Sequence, residues 1–244
     1  MSIETSKNAG VLIVNTFPAE LSGYKGTSEK TFAKMLGDDV STRVVSAVNG
    51  LEAEVPEQGV ILNGSPYSVK GDHEWLEQYR EFARAMVESR KKVLGVCFGH
   101  QFLAQIYGSA IERMEEDQFK PNRVQLTEEG LKHPLFEGLP EEFPIPSSHF
   151  DHVATLNGSM TNLARTTAAP CYAIDCSLGE GVGWWSLQFH PEMNADRLAN
   201  VIELKSDGIP GWEERQILAR QSDFGDFGAR IIRNYMKAVI RSTY

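Results

Sequence analysis

The chain has 244 residues, 41% hydrophobic and 23% charged, and carries a formal net charge of −9. That length suits one large domain with a substantial core. The acidic balance works against binding nucleic acid or an anionic membrane, whose phosphate field repels it.

The first ten residues, MSIETSKNAG, are polar and lack the apolar core of a signal peptide. No stretch approaches the roughly 20 apolar residues of a membrane span, so the expectation is a cytoplasmic protein. VLIVNT, from Val11 to Thr16, predicts a buried strand. SEKTFAKML predicts a helix, with Ser28 as a candidate N-cap and Phe32, Met35 and Leu36 on one face. TRVVSAV and GVILN read as the second and third strands, closed by the turn signal NGSP. From Asp72 to Arg90 a helical period runs through Trp75, Leu76, Tyr79, Phe82, Ala83, Met86 and Val87, with Asp72 as the cap. KVLGV is the next strand, and HQFLAQIYG the next helix, stopped by Gly108. Strands alternating with helices imply a parallel sheet covered on both faces.

Beyond Gly108 the pattern changes. MEEDQ reads as a solvated acidic run. RVQLT, HVATL, LARTT, CYAID and VGWWSLQF read as successive strands, an antiparallel excursion on a sheet edge. Cys171 and Cys176 lack a zinc-ligand spacing and read as small strand residues. GEGVG precedes a strand rather than a helix, so it predicts a hairpin turn and not a phosphate loop. Trp184 and Trp185 point to opposite faces of their strand. From about residue 194 the chain reads as a helical extension of one domain spanning 1–244. Gly208, Pro210 and Gly211 mark a break in it, allowing a helix or lid between Asn194 and Ser222 at the mouth of a site. Phe227, Ile231, Ile232, Tyr235 and Val239 keep a helical period that packs on the sheet.

The chemistry concentrates in KKVLGVCFGHQ. Cys97 falls on the turn between a strand and a helix, with Gly95 and Gly99 letting neighbouring backbone approach closely. A helix N-terminus beneath the sulfur favours thiolate, and the Phe98 N–H, free at the helix start, can meet a developing oxyanion. A nucleophile needs a base, and the strand WWSLQF ends in HPE. His190 fits that role, with Glu192 orienting it and Pro191 stiffening the turn. If GVIL neighbours KVLGV, Gly64 offers a second oxyanion N–H.

GVCFGHQ and QFHPE together resemble the two catalytic motifs of class I glutamine amidotransferases, in the family's order. ILNGSP is similar to the family's oxyanion-loop strand, usually richer in glycine, with Asn63 and Ser65 as departures, and SSHFDHV to the segment before its last strands. The resemblance covers about Val11 to Glu192. It implies a flavodoxin-like α/β fold, a mostly parallel sheet flanked by helices, and hydrolysis of a γ-glutamyl amide through a cysteinyl thioester. It implies Cys97 as nucleophile, His190 as base, Glu192 as its orienter, and Gly64 and Phe98 as oxyanion donors. Gln101, His149 and Asp151 are implied as lining the glutamyl pocket. No cofactor and no metal is implied.

These motifs leave the acceptor open. One reading is a stand-alone hydrolase of γ-glutamyl amides or peptides; NGSPYSVKGDHEWL and KKVLGVCFGHQ resemble the plant γ-glutamyl peptidases and stand-alone members near the GMP synthetase glutaminases. Another is a glutaminase subunit supplying ammonia to a separate synthetase partner, since the 244 residues hold no Walker motif. A non-catalytic binding module would have lost the nucleophile or the base, and both are present.

Overall fold

The computed structural model describes residues 9–17, 22–52 and 54–242. Its main sheet begins with β1 (Gly10–Asn15), β2 (Ser41–Ser46), β3 (Gly59–Leu62) and β4 (Lys92–Val96). It continues through β6 (Lys120–Leu126), β7 (Glu142–Ser147), β9 (Met160–Arg165), β10 (Ala173–Gly179) and β11 (Val182–Leu187). A separate pair is formed by β5 (Ala110–Arg113) and β8 (Asp151–Thr155). The nine strands run in the order β2-β1-β3-β4-β11-β10-β9-β6-β7. From β2 to β11 all neighbours are parallel. From β11 to β7 they are antiparallel. The fold is therefore an α/β sheet, parallel through its functional half and antiparallel towards one edge.

The inner parallel strands β1, β3 and β4 are apolar on both faces because both faces are covered, whereas the edge strand β2 is polar and partly exposed. Along β1, Val11 and Ile13 join the cluster beneath α1 (Ser22–Leu36) and α7 (Phe227–Arg241). Leu12 and Val14 join the opposite cluster beneath α2 (Trp75–Glu88) and α3 (Phe98–Ile106). The same alternation sends Trp184 into the second cluster and Trp185 against the first. The α7 stripe is buried as its period requires, and Tyr235 donates to the Lys92 carbonyl at 2.7 Å.

Several boundaries differ from the sequence reading. Ser28 is not an N-cap: α1 begins at Ser22, and Ser28 is buried inside it. Asp72 does not cap α2, whose N-cap position is Glu74 without a side-chain bond. HVATL lies in β8, off the main sheet, pairing with the unforeseen β5. The strand EFPIPS went unread because of its two prolines; it is the edge strand β7, where missing N–H groups are tolerated. Cys171 makes only an isolated bridge to Val153, ahead of β10. GEGVG is the β10–β11 hairpin turn, with Glu180 and Gly181 at φ 50° and 78°. MEEDQ is only half solvated, since Asp117 pairs with Arg215 and Gln118 is buried.

The short α4 (Glu128–Lys132) follows β6, and after β11 come α5 (Ala195–Leu204) and α6 (Trp212–Arg220), which pack on each other through a small cluster including Leu198, Ile202, Ile209 and Ala219.

Candidate active site

Three neighbouring parallel strands, β3, β4 and β11, end on one side of the sheet, where open α/β sheets present their ligand sites. Cys97 follows β4 with φ 51° and ψ −100°, a left-handed backbone that a non-glycine residue rarely adopts. The conformation is held from both sides. The Cys97 N–H donates to the Leu187 carbonyl at 2.8 Å, and its own carbonyl accepts the Gln101 N–H at 3.0 Å. The flanking glycines are required by close approach. A methyl on Gly99 would lie 2.1 Å from the Leu62 carbonyl oxygen, and one on Gly95 would lie 2.6 Å from the Gly99 oxygen. α3 starts at Phe98, two residues before the sequence placed it, so the Phe98 N–H has no partner within the helix.

His190 and Glu192 follow β11, the strand beside β4. His190 Nδ1 stands 2.8 Å from Glu192 Oε1, with both side chains almost fully buried. The Cys97 thiol donates to the Ser148 carbonyl at 3.7 Å and lies close enough to the same imidazole to act on its charge. Burial alone depresses an imidazole pKa; here the Glu192 carboxylate and the Cys97 sulfur outweigh it and raise His190 to about 10. Burial likewise pushes Glu192 up, but the His190 and Arg197 charges win and hold it below its ordinary value. The HPE turn is buttressed from below: a methyl on Gly228, in α7, would meet the Pro191 carbonyl oxygen at 2.0 Å.

Two residues outside the catalytic motifs, Ser28 and Arg197, stand beside the acid. Ser28 Oγ lies 3.3 Å from Glu192 Oε1, and Arg197 Nη2 donates to Ser28 Oγ at 2.6 Å. Their partners are remote in the chain, so no local spacing points to them.

Gly64 follows β3 and abuts the pair as expected. A methyl there would lie 3.0 Å from His190 Cε1 and 3.6 Å from Cys97 Cβ. Its N–H departs from the expectation of a free oxyanion donor, because it donates to Asn63 Oδ1 at 2.8 Å. Thr16 Oγ1 fixes the Gly64 carbonyl at 2.8 Å.

Gln101, His149 and Asp151 gather on one wall of a cleft of about 260 Å³ that also touches Cys97. Gln101 Nε2 donates to the Asp151 carbonyl at 2.6 Å. Asp151 Oδ2 accepts from Ser68 Oγ at 2.7 Å, and Arg113 Nη1 is 3.8 Å from Asp151 Oδ1. His149 is committed to structure at both ring nitrogens, 3.0 Å from the Asp151 carbonyl and 3.0 Å from the Tyr172 hydroxyl, and burial lowers its pKa to about 3. His100, in the first turn of α3, is fully buried, with Nδ1 2.8 Å from Ser186 Oγ.

Among the described residues no group of three His, Cys, Asp or Glu side chains is disposed to hold a metal ion. No helix among them is long and apolar enough to cross a membrane.

Residues 31–203 match the family described as Glutamine amidotransferase class-I. A glutamine-hydrolyzing GMP synthase of Aeropyrum pernix is 36% identical over 135 residues, covering 55% of this chain and 24% of the relative. The chain thus spans about a quarter of that relative's length. One subunit of the glutamine-hydrolyzing GMP synthase of Pyrococcus furiosus is 28% identical over 154 residues, 60% of this chain and 75% of the relative. Gamma-glutamyl peptidase 3 of Arabidopsis thaliana is 28% identical over 149 residues, 59% of this chain and 58% of the relative. In fold, the chain is similar to a glutamine amidotransferase of Thermotoga maritima, with a TM-score of 0.74, 17% identity, and 96% and 98% of the two chains covered.

Proposed function

The chain belongs to the class I glutamine amidotransferase family, and from that premise we propose that it hydrolyses γ-glutamyl amides larger than glutamine through a thioester on Cys97, without a partner subunit. The observation that carries the reading is the gathering of Cys97, Gly64 and the hydrogen-bonded His190–Glu192 pair at the ends of adjacent strands. The proton shared by Cys97 and His190 rests on His190, whose pKa is raised, and the Cys97 sulfur bonds to the γ-carbonyl carbon as the carbonyl electron pair moves onto oxygen. Collapse of this adduct breaks the C–N bond, and the departing amine takes the proton from His190. Water then gives a proton to His190 and its oxygen bonds to the same carbon. The C–S bond breaks and the proton stays on His190, beside the freed sulfur. One water is consumed, and glutamate and an amine are formed.

Glu192 orients the imidazole and stabilises its charged form. The Phe98 N–H holds the oxyanion, joined by the Gly64 N–H once it leaves Asn63. Gln101 and Asp151 frame the glutamyl pocket, and His149 shapes its wall through bonds to its neighbours.

The second reading is a glutaminase subunit that feeds ammonia to a synthetase. The Gly64 N–H bond to Asn63 favours it, since a donor engaged elsewhere suits a site that waits for a partner. The archaeal relatives that are single subunits of a glutamine-hydrolyzing GMP synthase lean the same way. Glutamate release by the purified chain alone separates the two. Turnover of γ-glutamyl amides without any partner is the expected result. Negligible turnover on every amide, restored by an added synthetase, would reverse the order.

A further inference from the structure

We propose that Lys205, the C-cap residue of α5, is a specificity residue of the glutamyl cleft: together with Arg113 it binds the α-carboxylate of the γ-glutamyl substrate. The assignment rests on the γ-glutamyl substrate common to both readings above, and not on the choice between them. Lys205 lies beyond residues 31–203, the part of the chain that matches the family, and outside both catalytic motifs.

The placement begins with the helix end. The Lys205 N–H donates to the Val201 and Ile202 carbonyls, at 3.2 Å each, which fixes the backbone from which the side chain leaves. A lysine at such an end ordinarily serves the helix dipole from solvent. This one is half-buried and carries its ammonium to two rings, 5.2 Å from the centre of Phe119 and 5.7 Å from that of Phe150. Both rings line the cleft that holds Cys97, Gln101 and Asp151. Lys205 also touches the cavity beyond His190, but neither ring does. The ammonium therefore belongs to the glutamyl cleft.

Two cations meet at one ring. The Arg113 guanidinium carbon lies 4.0 Å from the Phe150 ring centre, and Arg113 Nη1 is 3.8 Å from Asp151 Oδ1. Among the described residues no carboxylate acts on Lys205. The charges that do are Cys97, which favours its cation, and Arg113, which opposes it as burial does. The aromatic faces return part of that cost. An anion placed against both cations relieves the rest, because it screens their repulsion and replaces the water they have lost. The head group of a glutamyl substrate is a carboxylate and an ammonium on one carbon. The cleft presents the complementary set, with Lys205 and Arg113 for the carboxylate and the buried Asp151 beside Arg113 for the ammonium. The sulfur of Cys97 is the other anion that acts on Lys205, so the test separates recognition of the substrate from action on the thiolate.

The test is calorimetric binding of glutamine and of glutamine α-amide, whose head group lacks the carboxylate charge, to Cys97→Ala protein with and without Lys205→Met. Methionine keeps an apolar stem on the rings and removes the charge. Glutamine should bind the Cys97→Ala protein at least about tenfold tighter than the α-amide, and Lys205→Met should close that gap by weakening glutamine alone. Lys205→Arg should restore most of the loss. With Cys97 intact, Lys205→Met should raise KM for glutamine about tenfold with kcat little changed. The pH profile of Cys97 alkylation by iodoacetamide, a neutral reagent, should stay in place. An equal loss for both ligands, no loss for glutamine, or an alkylation profile displaced to higher pH with KM unmoved would overturn the assignment. Absent turnover with the binding difference intact would count against the hydrolase reading and leave Lys205 in its role.

Discussion

The Ser28 hydroxyl and the Glu192 carboxylate lie 3.3 Å apart although 164 residues separate them in the chain. Arg197 donates to the same hydroxyl at 2.6 Å, so α1, the HPE turn and α5 meet at one oxygen. The acid hydrogen-bonded to His190 is thus itself held by two elements outside the HPE turn.

Loss of these supports should loosen the imidazole without removing it. Ser28→Ala should lower kcat by on the order of tenfold, in line with the sensitivity of catalysis to misplacement. Arg197→Met removes a cation that holds the Glu192 pKa down. Glu192 would then protonate more readily, and the acid limb of the kcat/KM profile should move to higher pH. A purely structural Arg197 would change stability and leave that limb in place.

Asn63 occupies the Gly64 N–H in the conformation described. If that N–H stabilises the oxyanion, Asn63→Gly should free it and raise kcat, by up to the roughly 10²-fold that one donor contributes. KM should change little, since the donor acts on charge that develops after binding. Steady-state kinetics of the variant check this; an unchanged or lower kcat would remove Gly64 from the oxyanion site.

Close backbone approach makes some glycines irreplaceable and others not. Gly99→Ala places a methyl 2.1 Å from the Leu62 oxygen, whereas Gly158 has no atom within 4 Å of its added methyl. Thermal denaturation should show Gly99→Ala destabilised by about 1–3 kcal/mol or more, and Gly158→Ala within about 0.5 kcal/mol of the parent. Gly228→Ala, which presses on Pro191, should lose activity beyond its loss of stability.

Stability should fall on both sides of neutrality, for different reasons. Burial lowers His100 and His149 to about 3 and His133 to about 4. Below about 6.5 the unfolded chain therefore binds protons that the folded one refuses, and stability falls with pH by about 1.4 kcal/mol per unit for each such proton. His190 acts oppositely. Its folded pKa is raised to about 10, so its contribution is complete below about 6.5 and is lost as pH rises through 10. Denaturant titrations across pH should show the acid slope reduced in His100→Gln and the alkaline slope reduced in His190→Ala.

The parallel half is legible in the sequence because its inner strands β1, β3 and β4 are short apolar runs followed by turn chemistry or an amphipathic helix. Cys97, His190 and Glu192 were legible for a related reason: each sits in a strand-end motif whose residues are contiguous. β7 was hidden by its prolines, and β5 by a polar segment that packs away from the main sheet. Ser28 illustrates the remaining gap. Its local signal was that of a cap, and its bond to Glu192 depends on how α1 and the HPE turn come together. Lys205 and Arg113 carried no signal as lone cations and gain meaning only from the cavities they line. Asn63 was visible as a departure from a glycine-rich strand, but its capture of the Gly64 N–H depends on the side-chain geometry.

The central claim is that Cys97 carries the γ-glutamyl group. The most direct measurement is acid quenching of the purified chain during turnover of a γ-glutamyl amide, followed by mass spectrometry of the protein and its peptides. A γ-glutamyl adduct confined to the peptide containing Cys97, absent from Cys97→Ala and accumulating in His190→Ala no faster than in the parent, is the predicted result. An adduct on another residue, or near-parental glutamate release by Cys97→Ala, would contradict it.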